Sequence, residues 1–225
     1  MLCGDMNEHS LIHSGAVGTR RRLVEAAERV IRAKGLGRAT TKEIAREAGL
    51  AEGTLYLHFA DKLDLIRAVQ EQLLPAFVNL LIRLPDKAGS RTVEANLTEV
   101  AEQAMTLYRD FQAVSAGVFA DPELLGRHRK LLRDRGDGPQ RAYDPIVAYL
   151  RAEQALGRVT VPDPLATAVL LLGACQQYVF VEQLIGADLH PLRDRPNPAA
   201  SLVQTLLAGL TPRQPTDPKR TETRV

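Results

Sequence analysis

The sequence contains little cysteine and no tryptophan. Its two cysteines, Cys3 and Cys175, lie far apart in the 225-residue chain, and neither belongs to a run with metal-ligand spacing. This pattern excludes a disulfide framework and a cysteine-based metal site, so we expect a protein of the reducing cytoplasm. Residues 1–5 also lack the basic region and following apolar run of a signal peptide.

Patterns that carry catalysis or bind cofactors are missing as well. No nucleophile elbow, carboxylate pair or glycine-rich phosphate loop stands out, and the five histidines show no metal-ligand spacing. These histidines are His9, His13, His58, His128 and His190. We therefore predict that the protein is not an enzyme and uses neither a metal ion nor a cofactor.

Strand patterns are not apparent, whereas apolar residues repeat every three or four positions along most of the chain. The sequence therefore predicts an all-α protein. The net charge is only +2, but it is unevenly distributed. Residues 19–70 contain 11 Lys and Arg against 7 Asp and Glu, and residues 71–210 contain 14 against 16. A basic amino-terminal part on a nearly neutral body favours contact with a polyanion at one end.

Residues 40–59 predict two short helices joined by a tight turn. Thr40 can cap the first helix, and Glu43 follows three residues later, which is the spacing of a capping box. Gly49 comes directly after the last periodic apolar residue, where a left-handed backbone is easiest without a Cβ. A second helix is predicted over 52–59. Two helices joined by a short turn containing glycine are typical of a DNA-binding helix-turn-helix.

The residues at fixed positions in this region resemble the DNA-binding domain of TetR-family transcriptional repressors. The resemblance covers roughly residues 19–65, under a third of the chain, and needs no gap. It implies a three-helix amino-terminal helix-turn-helix domain and a larger carboxy-terminal helical bundle, with about nine helices. The positions that carry it are Ile44, Ala45, Ala48, Gly49, Leu50, Gly53, Thr54, Leu55, Tyr56, His58, Phe59, Lys62 and Leu65.

The resemblance further implies which residues contact double-stranded DNA. A recognition helix enters the major groove by its amino-terminal residues, while hydroxyl and ammonium groups around it hold phosphate oxygens. Arg20 joins the contacts because basic residues at a predicted helix start oppose the helix dipole, a conflict that a nearby phosphate would relieve. We expect base-facing Glu52, Gly53, Thr54 and Leu57, and backbone-contacting Arg20, Thr41, Tyr56, His58 and Lys62.

The recognition helix departs from the family pattern in two ways. The family usually has Ser or Thr as its cap, but Ala51 stands there and is a poor cap, at a cost of ~1 kcal/mol. Glu52 can accept a hydrogen bond from a cytosine amino group, or can serve only as an exposed acid that favours the helix dipole. Leu57 offers apolar contact, for instance to a thymine methyl group. The operator sequence therefore does not follow from these residues.

We divide the chain into four parts. Residues 1–18 show no periodicity and are predicted to be a flexible arm, and residues 19–65 form the helix-turn-helix domain. Residues 66–210 are predicted to form the effector-binding and dimerisation domain. Residues 211–225 contain three prolines and no apolar periodicity, so we predict a disordered tail.

Helix boundaries in the larger part follow from caps and prolines. Thr19 is expected to cap the first helix, and Asp61 the helix that connects the two domains. Pro75 interrupts the apolar pattern of that connector, so we expect a kink there. The pairs Asp121-Pro122 and Asp163-Pro164 each combine a cap with a proline at the first helical position.

Two apolar helices near the carboxyl end, predicted over 165–185 and 198–210, fit a subunit interface. The resemblance implies that such a pair from each protomer forms a four-helix bundle in a two-fold homodimer. A purely intramolecular core is the alternative. Gln176 and Gln177 interrupt the apolar run 169–175, so we expect no membrane span.

The helices between residues 92 and 185 would enclose an effector pocket if the family pattern holds. Residues with apolar bulk and a few polar groups suit a largely hydrophobic small molecule, with an acyl chain preferred over a flat drug because aromatics are scarce. Plain core packing is the alternative for each residue. The candidate lining residues are Phe77, Tyr108, Phe111, Phe119, Tyr143, Tyr149, Gln176 and Phe180.

The sequence as a whole predicts a ligand-responsive regulator, in the first place a repressor. It would bind a palindromic operator as a dimer, and a small hydrophobic effector would favour a dimer with a different spacing of recognition helices. An activating or non-ligand-gated DNA-binding regulator remains open. So does a helical scaffold that has lost DNA binding, for which Ala51 and Leu57 are the supporting residues.

Overall fold

The computed structural model describes residues 6–136 and 140–209, and that part of the chain is helical. It contains ten α-helices and two short 3₁₀ turns, and no strand occurs among these residues, which confirms the all-α prediction. The predicted tail at 211–225 lies outside the described residues. The helices are α1 (Met6–Lys34), α2 (Thr41–Glu47), α3 (Glu52–His58), α4 (Lys62–Leu73), α5 (Pro75–Arg83), α6 (Val93–Ala120), α7 (Pro122–Arg135), α8 (Gln140–Ala155), α9 (Pro164–Ile185) and α10 (Pro198–Ala208).

Helices α2 and α3 begin and end where the local sequence predicts. Thr40 accepts a hydrogen bond from the Glu43 backbone N–H, and the Glu43 carboxylate accepts one from the Thr40 backbone, so the capping box is confirmed. Gly49 adopts φ +67° in the turn, a region that favours glycine. Ala51 precedes α3 and makes no side-chain cap, as its methyl group requires.

Helix α1 begins at Met6, so the prediction that Thr19 caps it was wrong. No proline occurs between residues 6 and 34, and adding a turn to an existing helix costs far less than nucleating one. Arg20 therefore lies in the middle of a helix. The helix-dipole conflict inferred for residues 20–22 does not arise, and it gives no support for a phosphate contact at Arg20.

The connector between the two halves consists of α4 and α5. The Asp61 carboxylate accepts a hydrogen bond from the Asp64 backbone and caps α4 as predicted. Pro75 is the first residue of α5, and the axes of the two helices differ by 47°. The kink expected from the sequence is therefore present, because proline cannot continue the hydrogen-bond ladder of α4.

Helix α6 organises the larger half and packs against α5, α7, α9 and α10. Its cap is Thr92, and the aspartates Asp121 and Asp163 cap α7 and α9 with proline next to each. Helix α9 packs on α6 and α8 as well as on α10. The helices of the larger half thus enclose one apolar core, which includes Leu97, Ile146 and Val179 among its fully buried members.

The amino-terminal half has a second core, which is built from α1 to α4 around Leu23, Leu55 and Phe59. One residue of α6, Val118, belongs to this second core, and Leu125 of α7 packs against it. The end of α6 and the start of α7 therefore form a joint between the two halves, in addition to the connector.

Ion pairs and one close contact tighten that joint. Arg32 of α1 lies 2.7 Å from Asp110 of α6, and Arg127 of α7 pairs with Asp61. Gly117 faces Leu36 so closely that an added Cβ would lie 2.3 Å from the Leu36 Cβ. Only glycine fits between α6 and the α1–α2 turn in this arrangement.

Candidate nucleic-acid interface and effector core

Helix α3 has one buried side and one exposed side. Leu55 and the following Phe59 are buried against the amino-terminal core. Glu52, Gly53 and Tyr56 are exposed, and Leu57 is 83% exposed. A leucine this exposed gains nothing from the protomer's own core, so the outward side of α3 faces solvent.

Three predicted contact residues form a hydrogen-bonded group on the surface. The Thr41 hydroxyl donates to the Glu52 carboxylate at an oxygen–oxygen distance of 2.8 Å. The same hydroxyl lies 3.2 Å from the Tyr56 hydroxyl. Sequence reasoning assigned Glu52 to bases and the other two to phosphates, and the structure brings all three together where α2 meets α3.

Lys62 is directed partly into the protein. Its ammonium donates to the Leu36 carbonyl at 2.8 Å and so ties the start of α4 to the turn after α1. Burial lowers the pKa of Lys62, while the nearby Asp121 carboxylate acts in the opposite direction. An ammonium has three donors, so the Leu36 bond leaves capacity for a phosphate oxygen.

The remaining predicted contacts differ in exposure. The Arg20 guanidinium lies over the Phe59 ring at 5.0 Å from its centroid, a cation–π arrangement that holds the cation at the surface. Thr54 and His58 are half-buried. A Cβ added to Gly53 would meet nothing within 4 Å, so the protein itself does not require glycine there, and any need for it comes from a partner.

The predicted effector residues separate into three groups. Phe77 and Tyr149 are buried in the core of the larger half, and the Tyr149 hydroxyl accepts a hydrogen bond from Asn96 at 3.0 Å. Tyr108, Phe111 and Tyr143 are half-buried at the edge of that core. The third group is exposed and consists of Phe119, Gln176 and Phe180.

The third group corrects the sequence prediction, because exposed residues do not line an interior pocket. Phe119 is 69% exposed near the end of α6, although the adjacent Val118 is buried in the amino-terminal core. Gln176 and Phe180 are four residues apart and share the outer side of α9. Phe180 follows the apolar pattern of α9, but that helix is apolar on more than one side, so the pattern does not tell which side faces the core.

A small group of ionisable side chains lies at the edge of the larger core. Burial raises the pKa of the Tyr108 hydroxyl, and the proximity of Cys175 and Tyr143 adds to the shift. Burial also raises the pKa of the Cys175 thiol, to about 12. Tyr108 and Cys175 are therefore neutral at physiological pH, and they add weak polarity to an otherwise apolar environment.

Two surface grooves are present in the described part of the chain, and neither is lined by a predicted effector residue. One lies between the end of α1 and the start of α2, beside Lys34, Arg38 and Glu43. The other lies beside Leu192 and Gln204 near α10.

A buried polar cluster was missed by sequence reasoning. The Glu153 side chain is fully buried, accepts from the Gly89 backbone at 3.2 Å and lies 3.1 Å from the Arg158 guanidinium. The Asn96 amide bridges the Ser90 carbonyl and Tyr149. The cluster fixes the turn before α6 to α8. No local sequence signal identifies such a cluster, because its members are up to 69 residues apart.

The outer side of α9 is an extensive apolar surface. Val169, Leu170, Phe180 and Leu184 are exposed there at helical spacing. Helix α9 has 22 residues, and its most apolar 18-residue stretch has a mean hydropathy of 1.5, so by length and composition alone it could cross a membrane. Only 33% of that stretch is buried within the protomer. The expectation of no membrane span stays a prediction.

Comparison with protein families gives two matches that together span most of the chain. Residues 23–69 match the family described as bacterial regulatory proteins, tetR family. Residues 95–209 match the carboxy-terminal domain of AefR-like transcriptional repressors. The first match contains α2 and α3, and the second contains α6 to α10.

Curated relatives resemble mainly the amino-terminal part. YvdT of Bacillus subtilis, an HTH-type transcriptional regulator, is 44% identical over 57 residues, which are 25% of this chain and 29% of YvdT. The HTH-type transcriptional regulator BetI of Klebsiella pneumoniae is 33% identical over 106 residues, 43% of this chain and 54% of BetI. The chain therefore spans about a third to a half of the length of these relatives.

Solved structures share the whole fold at low sequence identity. A TetR-family regulator from Mesorhizobium loti has a TM-score of 0.69 at 18% identity, covering 88% of this chain and 98% of its own. SmeT of Stenotrophomonas maltophilia, the repressor of a multidrug efflux pump, has a TM-score of 0.65 at 19% identity, covering 92% and 96%. FadR of Bacillus subtilis, solved with stearoyl-CoA, has a TM-score of 0.63 at 18% identity, covering 84% and 98%.

The family matches cover both halves of the molecule, and the solved structures share its helix order. Helix α3 is the second helix of the helix-turn-helix, and regulators of this kind present that helix outward as the recognition helix. The chain belongs to the TetR family of bacterial transcriptional regulators.

Proposed function

We propose that the protein is a cytoplasmic repressor that binds a palindromic operator as a homodimer and is released by a small hydrophobic effector. The observation that carries the DNA-binding part is the outward side of α3, where Glu52, Tyr56 and Leu57 are exposed without a partner surface on the protomer. The family membership supplies the regulatory role. The four-part division of the chain at residues 18, 65 and 210 stays part of the proposal, with the first boundary inside α1.

The proposed DNA contacts fall into two sets. Thr41 and Tyr56 present hydroxyl groups next to each other at the surface, which suits a phosphate oxygen. Lys62 and Arg20 add cations on either side of α3, and His58 lies at the end of the helix. The base-facing set consists of Glu52, Gly53, Thr54 and Leu57.

Homodimerisation is proposed through α9 and α10. The exposed apolar side of α9, which includes Leu170, is the kind of surface that monomeric soluble proteins rarely present. Helix α10 packs beside α9, so a two-fold axis through this pair would create a four-helix bundle. The dimer would place two copies of α3 on one side of the molecule, roughly 34–36 Å apart when bound to DNA.

The proposed effector site lies at Tyr108, Phe111 and Tyr143, the half-buried members of the predicted set. They combine aromatic surface with two hydroxyl groups beside Cys175, which suits a mostly apolar ligand with one polar end. SmeT has been solved with triclosan and FadR with stearoyl-CoA, so this fold accommodates hydrophobic ligands in those proteins. A ligand would have to open the packed core between α6, α8 and α9.

Release from DNA is proposed to follow from that opening. Helix α6 would shift, and its carboxyl end would carry the shift to the amino-terminal core through Val118 and the Gly117–Leu36 contact. The bent connector at Pro75 provides a second route. A ligand that prefers the dimer with a changed spacing of α3 would then lower the DNA-bound population by its differential affinity.

A gel-shift titration of the full chain tests the proposal. The probe is the DNA upstream of its own gene, with an unrelated duplex of equal length as the control. We expect a specific complex with two protected half-sites about one helical turn apart. Stearoyl-CoA or triclosan should dissociate this complex at concentrations that leave an unrelated repressor bound to its DNA. Equal affinity for both duplexes at all salt concentrations would refute sequence-specific regulation.

A second candidate is a regulator of the same family that does not respond to a ligand. The burial of Phe77 and Tyr149 in the core of the larger half favours it, since a pocket lined by these two residues would have to displace part of that core. In that case the titration would show the specific complex, and no hydrophobic compound would dissociate it. Thermal melts of the protein with each compound separate the two candidates, because a bound ligand raises the melting temperature.

A further inference from the structure

The Glu52, Thr41 and Tyr56 side chains form a directional hydrogen-bond chain. Thr41 has one hydroxyl proton, and its shorter bond of 2.8 Å goes to the Glu52 carboxylate, which accepts but does not donate. The 3.2 Å contact between Thr41 and Tyr56 must then use the tyrosine proton. When the protein is free, the Thr41 proton is therefore donated to Glu52, and the Tyr56 proton is donated to Thr41.

These are the same two protons that a DNA phosphate would need. In the proposed interface Thr41 and Tyr56 donate to phosphate oxygens, but each has only one proton to give. The Glu52 carboxylate accepts the first of them directly, and the second is held in the same chain through the Thr41 oxygen. A phosphate approaching this point must displace a carboxylate that is negatively charged itself.

Displacement costs least where Glu52 finds another donor. Two amino groups are donors in the major groove, adenine N6 and cytosine N4, and cytosine N4 is the usual partner of a glutamate. On a duplex that places such an amino group opposite the start of α3, Glu52 can leave Thr41 without losing its hydrogen bond. On any other duplex it stays on Thr41 or is left unpaired beside a phosphate.

We propose that Glu52 is a specificity residue that couples the reading of a base to the phosphate contacts of Thr41 and Tyr56. This role rests on the proposed function of α3 and acts mainly against the wrong sequences: a carboxylate that keeps its bond to Thr41 withholds that hydroxyl from their backbone. Specificity of this kind comes from a penalty on the competitor as much as from a contact with the correct partner.

A double-mutant cycle tests the coupling in the full chain. Glu52→Ala, Thr41→Val and the double variant are titrated by anisotropy with the upstream duplex and with an unrelated duplex. We expect Glu52→Ala to bind the unrelated duplex about fivefold more tightly, since one exposed hydrogen bond no longer has to be broken. In the Thr41→Val background the same change should alter that affinity less than about twofold.

Charge and folding are controlled by matched variants. Glu52→Gln loses the charge but keeps an amide oxygen that accepts from Thr41, so it should recover less affinity for the unrelated duplex than Glu52→Ala does. Thr41→Ser keeps the hydroxyl and should retain the full effect of Glu52→Ala. Glu47→Gln removes a charge from α2 at a residue paired with Arg29 instead of Thr41.

The outcomes separate the coupling from simple repulsion. If the effects of Glu52→Ala and Thr41→Val on the unrelated duplex add, Glu52 acts only through its charge and the proposal is wrong. Equal gains for Glu52→Gln, Glu52→Ala and Glu47→Gln lead to the same conclusion. If the folded wild-type protein binds neither duplex, the proposed function itself fails, and that result is distinct because it appears before any variant is measured.

Discussion

Replacing Gly117 with alanine should weaken the joint between the two halves of the protein. A Cβ at this position would lie 2.3 Å from the Cβ and 2.6 Å from a Cδ of Leu36. Non-bonded carbons prefer separations of about 3.5–4.0 Å. Because the Leu36 Cβ is fixed to the backbone, a rotamer change does not relieve the contact, and α6 must move away from the α1–α2 turn by about 1 Å or more.

Two opposing effects set the size of the change. Alanine in place of a helical glycine stabilises by about 1 kcal/mol. Overpacking a tight contact costs typically 1–3 kcal/mol, and the upper end applies because both Cβ atoms are attached directly to backbone. We therefore expect Gly117→Ala to lower the free energy of unfolding by about 2 kcal/mol. The displaced joint should also change the spacing of the recognition helices and weaken specific DNA binding.

Gly126→Ala is the matched control. Gly126 lies in α7, and an added Cβ there would meet nothing within 4 Å, so the helix-propensity gain of roughly 1 kcal/mol should appear alone. Chemical unfolding followed by circular dichroism measures both variants, and gel shifts measure their DNA affinity. If Gly117→Ala were as stable as Gly126→Ala, with wild-type DNA affinity, the joint would not be the tight contact described.

Four further predictions concern other parts of the molecule. Ala51→Ser supplies the missing cap of α3 and should stabilise the protein by ~1 kcal/mol in chemical unfolding; no change would mean that the cap does not limit α3. Lys62→Ala should weaken binding to all duplexes and reduce the salt slope by about one unit, and an unchanged slope would remove Lys62 from the phosphate contacts. Leu170→Glu should convert the proposed dimer to a monomer in analytical ultracentrifugation, whereas Ile82→Glu, which changes an equally exposed residue on α5, should not. Cys175 should react with thiol reagents at pH 8 only after unfolding, because burial holds its pKa at about 12; rapid reaction in the native protein would contradict its burial.

The amino-terminal domain shows how far local sequence information extends. The caps Thr40 and Asp61, the turn glycine Gly49 and the bend at Pro75 were all predicted and are all present. Each depends on residues within about one helical turn, where steric and hydrogen-bonding preferences act without the rest of the fold. The start of α1 was missed because a helix without a proline or a strong cap has no local signal that stops it.

The effector residues show where local information ends. Tyr149, Tyr108 and Phe180 all belong to helical apolar patterns, yet one is fully buried, one is at the edge of the core and one is at the surface. The period of a helix gives the direction of a side chain relative to its neighbours. It does not say which of two apolar sides of α9 faces the protomer and which remains for a partner.

The sequence by itself determined the family, the helical class and the residues of the recognition helix, because these depend on short-range spacing along the chain. Only the tertiary structure decided which groups meet: Glu52 with Thr41, Lys62 with the Leu36 carbonyl, and Gly117 with Leu36. Residues that are 11, 26 and 81 positions apart come together through the packing of different helices. Such contacts follow from the packing of several helices against a common core, and no single stretch of sequence encodes that packing.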